Sequence, residues 1–439
     1  MADHMSLSSA LQADDLWTSD VVPLLPATRD LYARHLGAIT RKRAISHSSD
    51  LLRALLVYAL GPSSFRLLGA WAVVLGLADI SEAAWRKRLR TSAAWLLWLL
   101  QELVAVPPGP PLHPTSRRIL LVDATVLATP GGTGADWRVH TAYDFGAGHL
   151  SQLVVADRFS GEHLDHYQVE PGDIVVADRG YGYRRNLAPV LRARADVVLR
   201  IHLQTFPFVT KEGKPLDLAR WVGTGRKRVR ERQVMCRVGQ AVHTVRVLAV
   251  RLSPKATERA QFRARKKAAT KGRKAQARTL KMAGWMLLVT TLKREEWPTD
   301  RVLELYRSRW QIELVFKRLK SILRLDHLRV SHPQAVEAVV RLVLIGWLLQ
   351  AEVGAELRAQ LVEVQMGRGA DWTEDDGVMS SWRLTFWCLT TLRQQLLGQW
   401  TVARLRACLD RLERFLTIGK RRRCHLESHL RRRFACVRP

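Results

Sequence analysis

Ile119-Leu120-Leu121-Val122-Asp123-Ala124-Thr125-Val126 is an apolar run with a single acid in its middle. Its β-branched residues favour a strand. A carboxylate inside such a strand is costly unless it meets a cation. Around this run the chain keeps strand character. Arg118–Ala128, Trp137–Phe145, Ser151–Phe159 and Asp173–Ala177 are short stretches rich in Val, Ile, Leu and Tyr, separated by glycine turns at 131–134 and 146–148. Tyr183–Ala195 then reads as a helix and Val197–His202 as a further strand, which predicts an α/β unit: a mixed sheet with helical cover.

A second acid closes another apolar run, Ile174-Val175-Val176-Ala177-Asp178, just before Arg179-Gly180-Tyr181. A carboxylate at a strand end is placed either to ligate a metal or to cap a turn. The third comes much later. Turning about 100° per residue along a helix over Asp300–Leu323 gathers Tyr306, Arg309, Glu313, Lys317 and Lys320 within about 80°. Leu305, Ile312, Phe316, Leu319 and Leu323 form the adjacent apolar arc. Asp123, Asp178 and Glu313 together offer hard oxygen ligands suited to Mg²⁺ or Mn²⁺. Crowded together, such acids repel one another unless divalent charge is present. Asp144 and Asp157 are competing strand acids and read as structural.

The rest of the chain frames this constellation. With 439 residues, 47% of them hydrophobic, it can bury sizeable cores in two to four units. Seventy Lys and Arg against 40 Asp and Glu leave a net charge of +30, which points to a polyanionic partner, DNA above all. The charge is clustered. Arg251–Lys281 holds 12 Lys or Arg and one acid, Glu258, as a DNA-backbone surface or a solvated helix; Lys420–Pro439 is similarly basic. Leu31 to about Leu103 has helical periodicity. Within it, Ser64–Leu75, a glycine turn and a helix capped by Ser81 suit a helix-turn-helix or a plain helical hairpin. Val106–Pro111 is a linker, and Arg228–Val238, His243–Leu252 and Trp285–Leu292 read as strands.

Several classes are disfavoured. Five scattered cysteines fit a reducing cytoplasm, no signal peptide is evident, and the apolar stretches Trp95–Val106 and Val336–Val353 read as buried helices, so no membrane association is expected. Cys424, His425, His429 and Cys436 match no common zinc spacing. The lack of a Gly-x4-Gly-Lys-Ser/Thr loop argues against a P-loop ATPase.

Tyr306, Arg309, Glu313 and Lys320 fit Tyr-x2-Arg-x3-Glu-x6-Lys without deviation, and Asp178-Arg179-Gly180-Tyr181 fits a second-aspartate motif. In these residues the chain resembles the DDE transposases of the insertion sequence 4 family, with a weaker likeness from about Ala38 to Leu349. The resemblance implies an RNase H-like core, interrupted between its second and third acids by a mostly β insertion and flanked by helical N- and C-terminal domains. The expected divisions are 1–105 (helical, DNA-binding), 115–205 and 298–350 (core), 206–297 (insertion) and 351–439 (helical, basic). It further implies catalytic Asp123, Asp178 and Glu313 holding two Mg²⁺ ions, with Mn²⁺ as substitute, and Tyr306, Arg309, Lys317 and Lys320 on DNA phosphates. Trp285 stacks on a flipped base in this reading, or is a buried strand tryptophan. The expected partners are double-stranded element ends and target DNA, bound by a homodimer on paired ends, in a bacterial cytoplasm at the nucleoid. A nuclease without strand transfer and a non-catalytic DNA-binding regulator are the alternative functions.

Overall fold

A computed structural model describes residues 16–41, 44–109, 115–132, 134–202, 206–210, 212–223, 227–366, 380–398 and 402–416, and the run around Asp123 forms β1 (Ile119–Leu127). Joining it are β2 (Trp137–Asp144), β3 (His149–Asp157), β4 (Ile174–Ala177), β5 (Asp196–Arg200), β6 (Phe208–Val209), β7 (Val229–Val238), β8 (Ala241–Arg251) and β9 (Trp285–Thr290). Among the described residues they make one nine-stranded mixed sheet, ordered β3-β2-β1-β4-β5-β9-β8-β7-β6. The centre is parallel, β1 beside β4 and β4 beside β5; every other pairing is antiparallel. β3 starts two residues before its expected place, because Leu150 and His149 pair with Tyr143 and Asp144 beyond a register shift.

Alternation along the strands sorts the two faces. Leu120 and Val122 of β1, Val175 and Ala177 of β4, and Val197 and Leu199 of β5 enter one core, under α6 (Leu187–Arg192) and α7 (Leu218–Gly223). The opposite face is covered by α10 (Thr299–Ser308) on β4 and α11 (Trp310–Ser321) on β1. The helix expected over 183–195 is reduced to a 3₁₀ turn at Arg184–Asn186 and the short α6.

The strands between 206 and 290 do not form a separate sheet. The β7–β8 hairpin joins the central strands through β9, which pairs with both β8 and β5. Besides α7, this segment holds α8 (Pro254–Ala269) and α9 (Ala277–Ala283), which carry most of the basic stretch. Ser253 caps α8 by accepting from the Ala256 N–H, and none of the helix's residues is buried.

The chain divides into two compact units, one spanning 104–321 with 325–329, the other the remainder. In the second, α1 (Arg29–His35), α2 (Ser48–Leu60), α3 (Phe65–Val74), α4 (Glu82–Thr91) and α5 (Ala93–Ala105) begin the chain. Packed with them are α12 (Pro333–Met366), α13 (Ser381–Leu397), α14 (Val402–Ala407) and α15 (Leu409–Leu416). The helices expected as separate N- and C-terminal domains thus share one core, and residues 330–350 lie with them. Long-range polar contacts show why. The buried Arg53 guanidinium of α2 donates to the carbonyls of Leu396 and Gln395 at the end of α13, satisfying acceptors that a helix terminus leaves open. Arg341 of α12 likewise donates to the Ala93 carbonyl. Ser81 caps α4 as expected, and Ser64, read as the first residue of its helix, instead caps α3. By length and composition α12 could cross a membrane over Pro333–Gln360, but 78% of its most apolar window is buried. The zinc-like cluster at 424–436 and the basic tail lie outside the described residues.

Candidate active site

β1 and β4 are parallel neighbours with Val122 opposite Ala177, so Asp123 and Asp178 stand abreast, one residue further along. Alternation turns both away from the core under α6 and towards the face covered by α10 and α11. This is the carboxyl end of parallel strands, where open α/β sheets place their sites. Asp123 is nearly enclosed, its side chain 17% exposed. Its Oδ1 accepts the Ala124 N–H at 2.8 Å, and its carbonyl accepts from the Tyr167 and Thr141 hydroxyls. Asp178 directly follows β4, and its Oδ1 caps the following turn by accepting the Gly180 N–H at 2.7 Å.

The signature residues arrive on two helices instead of one. α10 ends at Ser308 and α11 begins at Trp310, because backbone bonds from Arg309 to Tyr306 and from Ile312 to Arg309 span three residues rather than four and tighten the turn there. The apolar arc holds across the junction: Leu305, Ile312, Phe316, Leu319 and Leu323 are all buried. The polar arc is spread out. Tyr306 is buried, its hydroxyl without a regular hydrogen-bond partner among the described residues and turned to Arg200 and Arg309. Lys317 is exposed. Lys320 donates to the Val126 carbonyl of β1 at 3.4 Å.

Arg309 is the hinge of the site. One amino group lies 3.6 Å from Asp123 Oδ2 and the other 2.5 Å from Glu313 Oε1. Burial opposes its charge, yet the bond to Glu313 and the field of Tyr306, Glu313 and Asp123 hold its pKa above the ordinary arginine value. Asp123 shows the opposite strain. Burial, then the charges of Asp178 and Glu162, push its pKa up to about 7 against the pull of Arg309.

Glu162 was not singled out from the sequence. It sits in the loop after β3, and its pKa is raised by burial and by Asp178. Also unforeseen is a cationic group beside Asp178. Arg179 and Arg200 face it, as does His202, whose pKa is lowered by burial and by Arg179, Lys267 and Arg200. Arg263 of α8 lies in the field of Arg179, so the basic helix approaches this cationic group. The Asp178-Arg179 pair carried a sequence signal for this group; the approach of α8 did not.

Asp144 and Asp157 serve turns, accepting from the Ala147 and Phe159 N–H groups. Trp285 opens β9 within the core, 9% exposed, with the Arg251 guanidinium 5.0 Å from its ring centre. The ring is covered, so a base could reach it only if that cover moved.

The donor chemistry suits a divalent ion. Asp123, Asp178 and Glu162 are oxygen donors in mutual repulsion, with Arg309 supplying the positive charge. The geometry is not that of a loaded site: among the described residues no three His, Cys, Asp or Glu side chains converge to hold one ion. Glu313, with its side chain 42% exposed, would have to turn from Arg309 to join Asp123.

The transposase DDE domain model matches residues 114–349, from just before β1 into α12. The InsL protein of insertion sequence element IS186A of Escherichia coli K12 is 36% identical over 320 residues, 71% of this chain and 86% of that protein. The transposase of insertion sequence element IS421 of Escherichia coli is 36% identical over 321 residues, with the same coverage. The transposase of IS231F of Bacillus thuringiensis subsp. israelensis is 25% identical over 286 residues, 56% of this chain and 58% of that protein. The matched segment contains both strand acids and the Arg309–Glu313 arm, and the chain belongs to the DDE-domain transposases, enzymes of DNA cleavage and transfer.

Proposed function

We propose that this chain is a transposase of the insertion sequence 4 group that binds the terminal inverted repeats of its element and uses Asp123, Asp178 and Glu313 for strand cleavage and strand transfer. The observation that carries the reading is the parallel register that sets Asp123 and Asp178 abreast beneath the Arg309–Glu313 arm. In this reading the three acids would hold two Mg²⁺ ions, or Mn²⁺ in their place. Such ions activate an attacking water or 3′-hydroxyl and stabilise the leaving oxygen of an in-line displacement at phosphorus.

The protein's own part is positioning and charge. Glu313 exchanges Arg309 for its place beside Asp123, and the released guanidinium, with its fork of donors, grips a phosphate next to the scissile one. Lys320, held at the end of β1, and Lys317, exposed on the same helix, supply point charges further along the strand. Tyr306 offers its hydroxyl to the backbone near the scissile phosphate. Arg179, Arg200 and the basic face of α8 continue the path on the Asp178 side. Segment 206–297 acts as the insertion within an RNase H-like core, and a homodimer pairs two element ends, in the bacterial cytoplasm at the nucleoid. Trp285 supports a base-stacking role only if Arg251 leaves its ring.

The test is a supercoiled plasmid carrying the element ends, incubated with the protein and Mg²⁺. Excised and integrated products are expected; nicked plasmid alone would replace this reading with a nuclease that performs no strand transfer.

A further inference from the structure

Among the described residues the Glu162 carboxylate holds no structural hydrogen bond. The residues around it are tightly held: the buried Asn186 amide donates to the Glu162 carbonyl at 3.2 Å and to the Tyr181 carbonyl at 2.8 Å, while its oxygen accepts the Leu164 N–H. One side chain thus ties the Glu162 loop to the turn that follows Asp178. Behind the loop, Ser160 Oγ bridges His140 and His166 at 3.0 and 3.1 Å, and Arg138 donates to the Ser160 carbonyl. Yet among the described residues the Glu162 carboxylate itself makes no ion pair and no hydrogen bond. The Arg138 charge acts on it, but it is half-buried and faces two other acids, Asp178 and Asp123.

Gly180 shows how closely it approaches. A Cβ on this glycine would stand 1.6 Å from Glu162 Oε2 and 3.1 Å from Asp178 Oδ1. Both carboxylates crowd the same point, and the glycine leaves room for the Glu162 side chain against the Asp178 turn. The backbone there is not in the left-handed region, so space rather than conformation calls for glycine at this position.

We propose that Glu162 is a fourth metal-holding carboxylate of this site, paired with Asp178 and carried on a loop rather than on the signature strands or helix. The proposal rests on the reading of Asp123 and Asp178 as metal ligands. It divides the acids into two groups: Asp178 with Glu162 on one side, and Asp123 with Glu313, once turned from Arg309, on the other. Each group supplies carboxylate oxygens to a hard divalent cation, and Asn186 sets the distance between the Glu162 loop and the Asp178 turn.

The test is Mn²⁺ binding to the full-length protein without DNA, followed by the electron paramagnetic resonance of free Mn²⁺. The variants are E162Q, D123N, D178N and G180A, with metal-free thermal melts to show folding. E162Q is expected to melt no lower than wild type and to bind Mn²⁺ at least about tenfold more weakly. G180A, whose Cβ displaces the Glu162 carboxylate, should lose a similar factor. The E162Q/G180A double variant should lose little beyond E162Q alone, because both act on one group. If E162Q melts early, the G180A result decides. E162Q or G180A binding like wild type, while D123N and D178N bind weakly, overturns the proposal and leaves the transposase reading intact. Wild-type binding by all the variants overturns the metal-site assignment with it.

Discussion

Arg309 stands 3.6 Å from Asp123 while its other amino group holds Glu313, so one guanidinium neutralises two of the three signature acids. Replacing it with Met leaves both carboxylates without their cation. We expect R309M to melt at a lower temperature than wild type without metal and to show the larger rise on adding Mn²⁺, since a divalent ion then takes over the neutralisation. Cleavage should fall about 100-fold through loss of a transition-state phosphate contact. Equal Mn²⁺-induced shifts in both proteins would remove Arg309 from this role.

The basic helix α8 approaches the cationic group beside Asp178, Arg263 acting on Arg179 and Lys267 on His202. If both touch phosphates, replacing the pair with Ala weakens DNA binding across sequences and reduces the slope of log affinity against log salt by about 2. A titration at several salt concentrations checks this. An unchanged slope would make α8 merely a solvated helix.

Trp285 is a core residue by its burial and by the Arg251 guanidinium over its ring. W285A should therefore lower unfolding free energy by about 3 kcal/mol or more, measured in urea, and W285F should retain most of that stability. Full stability in W285A together with lost end binding would point to the base-stacking role instead.

What the sequence revealed and what it concealed follow from how local each cause is. Asp123 and Asp178 stood out because each interrupts or ends a run of Val, Ile and Leu, and strand alternation is a local property. The apolar arc of Leu305, Ile312 and Phe316 was equally local and survives the break at Arg309. The break itself had no signal, since it contains neither Pro nor Gly and arises from hydrogen bonds that tighten by one residue. Glu162 lies in a loop without periodicity, and its approach to Gly180 depends on Asn186, 24 residues further on. The joining of β8 to the central strands through β9, and the packing of Arg53 of α2 on the end of α13, are set by partners far away in the chain.

His140 of β2 is fully buried, and burial together with His166, Arg138 and His163 lowers its pKa to about 3. An unfolded chain binds that proton near pH 6.5. Between these values the unfolded state therefore holds one proton more than the native state, and stability falls as pH drops from about 6.5 towards 3, by about 1.4 kcal/mol per unit for this group. H140Q should flatten the acid limb of a stability–pH curve by roughly one proton. A curve parallel to that of wild type would show that His140 does not set it.

The central claim is that Asp123, Asp178 and Glu313 perform the cleavage, and the most direct measurement is single-turnover cutting of element-end DNA in Mg²⁺ by D123N, D178N and E313Q, each shown to be folded and DNA-bound. The account predicts that every one of them loses cutting by about 1,000-fold or more, roughly 4 kcal/mol of barrier. E313Q cutting at the wild-type rate would contradict it.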